Sequence, residues 1–332
     1  MSTNHGNPSV LAAAPYVGID VSKEKLDLAR TDDLERVVSF PNDPAGIARI
    51  VELLTALKPG AIVVESTGGL ERPLLEALLE ANLPASLVHP GRVRYFAIGL
   101  GILAKTDPID ARVLAKFAEL ASPRLSEKRS KNGAELRDLV ACRRQLCQAR
   151  AQQYNRRCST FSKASLRSVD SVIAAMDKQI EALDRQIRDL IDDDDEFKNL
   201  DRLLRSVPGV GPTLSATLLT ELRELGQADR RQIGALVGVA PFNADSGPVK
   251  GKRRIRGGRT TLRCVLYMGT LAALRFNPII KTFADRLKAA GKQNKVVISA
   301  CMRKLMALLN AMVRDNLTWD QLKVVKKLAV NH

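Results

Sequence analysis

The chain has 332 residues, 45% of them hydrophobic and 27% charged, with a mean hydropathy of −0.10, a balance that excludes disordered and fibrous classes. Lys and Arg number 52 against 36 Asp and Glu, for a formal net charge of +16. Residues 1–121 carry a net −3, residues 122–200 a net +3 and residues 201–332 a net +16, so the excess belongs to the last third, as expected of a part that holds a polyanion.

The first 120 residues alternate strand and helix patterns. Tyr16-Val17-Gly18-Ile19-Asp20-Val21 reads as a strand, 25–30 as its hairpin neighbour and 36–40 as a third strand that stops at Pro41. Asp43 caps an amphipathic helix with Ile47, Ile50, Val51 and Leu54 on one face. Ala61-Ile62-Val63-Val64-Glu65 is a continuous apolar run, the mark of a strand covered on both faces. A helix over 70–83 and a short strand over 85–88 follow. Three hairpin-like strands, a helix, a buried strand and further αβ units describe a ribonuclease H-like α/β domain. From Ala134 to about Ile191 the pattern is helical. Ile173, Met176, Ile180, Leu183, Ile187 and Leu190 step at heptad spacing, and Leu136, Leu139, Leu146, Tyr154 and Phe161 form a looser stripe. Two long helices fold back on each other or on a second protomer. The acidic run 192–196 reads as a metal site or, more simply, as a solvated helix end. Residues 200–332 are mostly helical, interrupted by one Gly- and Arg-rich stretch. The fold class is α/β plus α, with expected divisions at 1–124, 125–198 and 199–332.

Three groups of residues can carry chemistry. Asp20 shares a strand face with Gly18, Glu65 ends a buried strand, and Asp107 and Asp110 stand three apart on one helix face. Open α/β sheets hold ligands at such strand ends. Acids clustered without histidine suit Mg²⁺, and two such ions stabilise the oxygens of a phosphodiester. Asp107 before Pro108 is equally a helix N-cap, and Asp20 a turn residue. Second, Val207-Pro208-Gly209-Val210-Gly211-Pro212 joins two helices in the manner of a helix-hairpin-helix. There, Gly209 and Gly211 bring backbone amides to a nucleic-acid phosphate; a plain helical turn is the alternative. Third, five of the eight residues from Lys252 to Arg259 are cationic: Lys252, Arg253, Arg254, Arg256 and Arg259. With Lys250 they form a phosphate-binding cluster. Ser246 lies just upstream, and a serine in such a loop is more often a turn former than a nucleophile.

Other chemistries have little to work with. Five cysteines without a Cys-x-x-Cys pair give neither a disulfide framework nor a zinc site, and a reducing cytoplasm fits. Only three histidines occur, and His5 and His332 stand at the ends. Aromatics at 4% are too few for base stacking to be the main binding mode. Apolar runs such as 61–64 fall far short of the ~18 residues of a membrane span, and residues 1–15 lack the basic start of a signal peptide.

These residues resemble the insertion-sequence 110 family of transposases, related to the Piv-type DNA invertases. Val17-Gly18-Ile19-Asp20-Val21-Ser22-Lys23, Glu65-Ser66-Thr67-Gly68 and Lys105-Thr106-Asp107 with Asp110-Ala111 are similar to its N-terminal motifs. The Val207–Pro212 segment, Ser246-Gly247 and the basic cluster are similar to its C-terminal domain, and Gly291-Lys292 and Arg303-Lys304-Leu305 to its final helices. The resemblance implies a RuvC-like domain with Asp20, Glu65, Asp107 and Asp110 as a Mg²⁺-binding quartet, and Ser246 as a nucleophile that becomes joined to DNA. It also implies donor and target DNA as substrates, a structured guide RNA, and a dimer or tetramer in which one protomer's quartet faces another's serine. The expected location is cytoplasmic and nucleoid-associated, with no membrane partner. Arg256-Gly257-Gly258-Arg259 departs from the family's more usual Lys-x-Gly-Asn run. Two alternatives stay open: a metal-only RuvC-like nuclease of branched DNA, and a non-catalytic nucleic-acid-binding protein.

Overall fold

Alternation of apolar side chains through residues 16–41 builds three consecutive strands, β1 (Tyr16–Val21), β2 (Lys25–Arg30) and β3 (Asp33–Pro41). The third is longer than the sequence pattern indicates, and its register shifts at a bulge between Leu28 and Arg30. The computed structural model describes residues 14–104, 106–128, 130–243, 251 and 253–322, which divide into two compact units at residues 128 and 129.

In the first unit β4 (Ala61–Glu65) and β5 (Ala85–Val88) complete a five-stranded sheet in the order β3-β2-β1-β4-β5. The β1–β2 and β2–β3 pairs are antiparallel; β1–β4 and β4–β5 are parallel. Helix α1 (Pro44–Leu57) starts where the Asp43 carboxylate accepts the Gly46 amide at 2.7 Å, as expected of that cap. Helix α2 (Arg72–Glu80) is shorter at both ends than the expected 70–83. A glycine turn occupies its start, and Asn82, at φ 56°, turns the chain away after it. Helices α3 (Pro90–Gly99) and α4 (Asp107–Ala121) cover the other face. Val17, Ile19 and Val21 pack with α1 and α2, whereas Gly18 faces α4. A methyl group on Gly18 would stand 2.2 Å from the Ala115 nitrogen and 2.4 Å from the Ala111 oxygen. This close approach lets α4 lie directly on β1.

The second unit begins with α5 (Lys131–Cys158) and α6 (Lys163–Asp192), which pack against each other. Val169, Ile173, Ile180, Ile187 and Ile191 are buried along α6, whereas Met176, Leu183 and Leu190 are half-buried. Arg143–Asp184, Arg150–Asp177 and Arg157–Asp170 pair across the seam. Each rung lies seven residues from the next on both helices, as an antiparallel heptad pairing requires. Tyr154 and Phe161 leave the expected stripe and are exposed, Phe161 because the chain reverses at residues 159–162. The acidic run ends α6, and Asp194 caps α7 (Asp195–Arg205) by accepting the Glu196 and Phe197 amides. That is the simple helix-end reading.

Helices α8 (Pro212–Glu221), α9 (Arg230–Val237), α10 (Thr260–Phe276), α11 (Pro278–Ala289) and α12 (Asn294–Arg314) surround one apolar core, with a two-stranded ladder, β6 (Pro241–Phe242) and β7 (Arg254–Ile255), beside them. Helix α12 is long and apolar enough to cross a membrane by length and composition. Within this unit it is a core helix: Val297, Cys301, Leu305, Leu308 and Met312 are buried in the cluster. The five cysteines are free thiols.

Candidate functional site

The four carboxylates gather around one end of the sheet. Asp20 follows Gly18 on the face of β1 that meets α4. Glu65 ends β4, one strand over, where Val63 and Ala61 on the same alternation pack toward α3 and α4. Asp107 and Asp110 occupy the first turn of α4. The capping alternative for Asp107 does not hold, because Thr106 is the N-cap and Asp107 the first helical residue. Burial pushes the Asp20 carboxyl up to about 6, and Asp110, Glu65 and Asp107, in that order, push it the same way. Asp20 therefore senses all three others as like charges. Among the described residues, no three His, Cys, Asp or Glu side chains stand close enough to chelate one ion.

Three residues that sequence reasoning missed stand beside these carboxylates. Asp27 lies directly opposite Asp20 in the β1–β2 ladder and is only 2% exposed. Its carboxylate accepts the Ser39 hydroxyl and binds the Lys25 ammonium at 2.8 Å. The same ammonium binds Asp107 at 2.9 Å, so Lys25 ties the start of α4 to β2. Both acids hold the ammonium's proton affinity above its ordinary value. Glu71, 3% exposed, fixes the loop after Glu65. Its carboxylate accepts from the Gly69 amide at 2.8 Å and from the Thr67 amide and hydroxyl at 3.1 and 3.0 Å. Burial pushes this carboxyl up, but those donors and its own amide outweigh burial and hold it below its usual range. Gly68 and Gly69 supply the turn at φ 84° and 127°.

The second unit presents the expected phosphate-binding residues unevenly. Gly209, at φ 99°, is required by packing, since a methyl group there would stand 2.6 Å from Ala273. Gly211 is exposed, has open space at its Cβ position, and is the N-cap of α8 without a side-chain cap. Gly211 therefore brings no side-chain cap to the first amides of α8. Arg253, Arg254 and Arg256 are exposed at and beside β7. Arg259 is not an open cation: its guanidinium forms a two-pronged pair with Glu224, both hydrogen bonds at 2.7 Å. Ser246, Lys250 and Lys252 fall between β6 and β7 and lie outside the described residues.

A carboxylate-edged α/β sheet followed by a basic helical unit is the arrangement of an enzyme that works on nucleic-acid phosphates. The family model described as a DEDD "Transposase" of the IS110 type matches residues 17–165, and that described as "Transposase IS116/IS110/IS902 family" matches residues 201–285, together more than half of the chain. The chain is 28% identical over 319 residues to the "Pilin gene-inverting protein" of Moraxella lacunata, covering 92% of this chain and 98% of that one. The protein of the same name from Moraxella bovis is 27% identical over the same coverage. A 42 kDa protein of insertion element IS900 from Mycobacterium paratuberculosis is 32% identical over 120 residues, 34% of this chain and 29% of that one. The chain belongs to the IS110 family of transposases and DNA-inverting proteins, and is a DNA recombinase.

Proposed function

We propose that this recombinase cuts and rejoins donor and target DNA with two sets of residues. One is a metal-binding quartet, Asp20, Glu65, Asp107 and Asp110; the other is the nucleophile Ser246. The observation that carries the reading is the electrostatic one: three carboxylates press on a partly buried Asp20, whose carboxyl moves to about 6. The donor chemistry, all-oxygen and multiply anionic, suits a hard divalent cation such as Mg²⁺, although among the described residues no three of these side chains close on one ion. When bound, that ion supplies Lewis-acid stabilisation of charge at a phosphodiester. Lys25 holds the Asp107 carboxylate in place, and Glu71 holds the loop that follows Glu65. Ser246 attacks phosphorus and the strand's leaving oxygen departs, so the DNA end is retained as a serine phosphodiester until a new strand end displaces it.

The strand order β3-β2-β1-β4-β5, with carboxylates on the central strands, supports a RuvC-like domain over residues 1–124. The hairpin then forms a middle domain over 125–198 and the basic helices a C-terminal domain over 199–332. The α7–α8 turn is read as a helix-hairpin-helix that holds phosphate at Gly211 and the start of α8. Lys250, Lys252, Arg253, Arg254 and Arg256 extend that grip, and Arg259 steadies the segment from within. Family membership supports a structured guide RNA, a dimer or tetramer, and action in the cytoplasm at the nucleoid. DNA inversion, named for the Moraxella relatives, is the same strand exchange within one molecule.

The experiment replaces Asp20, Glu65, Asp107 and Asp110 singly by Asn or Gln and measures strand cleavage and DNA affinity together. Each variant is expected to lose cleavage at least a hundred-fold while affinity stays within about three-fold, because the quartet would hold an ion rather than bind DNA directly. Retained cleavage in any two of the four would overturn the quartet.

A further inference from the structure

Helix α5 is 28 residues long, so the α5–α6 hairpin carries its turn roughly 40 Å from its root. Its seam is closed within the chain by the buried isoleucines and the three Arg–Asp rungs. What remains at the far end has a different character. Phe161 is 91% exposed and Tyr154 47% exposed, in a chain with only 4% aromatic residues. Arg156, Lys163 and Arg167 are exposed around them, and no acidic residue occurs in the sequence between Asp138 and Asp170. The last rung uses Arg157 and Asp170, which leaves the surplus positive charge at the turn. Ser159, Thr160 and Ser162 add hydroxyl groups.

We propose that this tip is a nucleic-acid-binding site separate from the basic C-terminal cluster, and that it engages an unpaired nucleotide. Phe161 stacks on the exposed base, while Arg156, Lys163 and Arg167 hold flanking phosphates. Charge decides against the other natural occupant, a second copy of the tip. Two such tips would bring together like charges with no acid between them. A nucleic acid supplies the missing negative charge, and an unstacked base supplies the flat apolar surface that an exposed phenyl ring lacks. Fully paired duplex offers phosphates but no free base face. The site therefore favours single-stranded, looped or distorted regions. Such regions occur both in recombining DNA and in folded RNA, and the chemistry of the tip is the same for the two.

Neither the carboxylates nor the serine takes part in this binding, so its test needs no cleavage. The full-length chain is titrated in EDTA with fluorescent single-stranded DNA, single-stranded RNA and duplex DNA of about 20 nucleotides, enough to span a single-strand site, across a range of salt concentrations. Phe161→Ala touches no core, and it is expected to weaken single-strand binding roughly ten-fold without changing the salt slope. Binding to paired duplex is expected to change less than about two-fold, since a duplex offers the ring no free base face. Arg156→Ala/Lys163→Ala/Arg167→Ala is expected to make the single-strand salt slope shallower by about 0.7 for each phosphate that is no longer neutralised. A larger Phe161→Ala effect on DNA or on RNA identifies which of the two the tip serves. Sedimentation of each variant reports the oligomer. If Phe161→Ala breaks an oligomer and leaves single-strand affinity unchanged, the tip is a protein–protein interface and the proposal fails. It fails equally if neither variant alters single-strand binding.

Discussion

At neutral pH Asp20 is a partly buried carboxylate pressed by three others, and the fold holds it there at some expense in stability. Its carboxyl sits near 6 against an ordinary 3.8. A group raised in this way contributes stability that is fully present below the unfolded value and is lost as pH rises through the folded one. Between about pH 4 and 7 the metal-free protein is therefore expected to weaken on account of this residue. Asp20→Asn removes the penalty. Its melting temperature without divalent ions is expected to exceed that of the parent by a few degrees at about pH 7.5 and to match it at about pH 4. Adding Mg²⁺ at the higher pH is expected to narrow the gap by stabilising the parent more. Equal melting temperatures there would mean that Asp20 feels no crowding. Asp20 and Glu65 are legible in the sequence from strand alternation and a strand end, and Asp107 and Asp110 from their three-residue spacing on one helix face. Lys25, Asp27 and Glu71 are not, since their partners depend on the β1–β2 register and on a glycine turn, which no spacing rule supplies.

Between elements, the α5–α6 hairpin sets buried apolar packing against partly exposed ion pairs. Ile180 is 5% exposed in the seam, whereas the Arg150 and Asp177 side chains of the middle rung are 35% and 38% exposed. Core truncation costs about 2–5 kcal/mol, and a solvent-screened pair contributes about 0.2–1 kcal/mol. Ile180→Ala is thus expected to lower the urea midpoint by several times the effect of Arg150→Ala. Comparable shifts from the two variants would show that the rungs, rather than the seam, hold the hairpin together. The hairpin's existence is legible from Ile173, Ile180 and Ile187 at intervals of seven. Its turn is less so: residues 159–162 contain no Gly or Pro, so periodicity runs on through Tyr154 and Phe161 as though they belonged to the core. The two-stranded ladder at Pro241–Phe242 and Arg254–Ile255 is likewise too short to show any alternation.

Over the whole molecule, charge divides the labour. A first unit rich in acids repels DNA unless cations neutralise its edge, and the last third supplies the attraction. Asp20 and Ser246 stand in different parts of the chain, and the proposed reaction requires both. The most direct test incubates the full-length protein with Mg²⁺, the proposed guide RNA and end-labelled donor DNA, then separates the products on a denaturing gel. The expected result is a labelled protein–DNA adduct in the parent, absent from Ser246→Ala and from Asp20→Asn, and partly restored when the two variants are mixed. Cleaved DNA without an adduct in the parent, or undiminished cleavage in Ser246→Ala, would contradict the serine mechanism and leave a metal-only nuclease in its place.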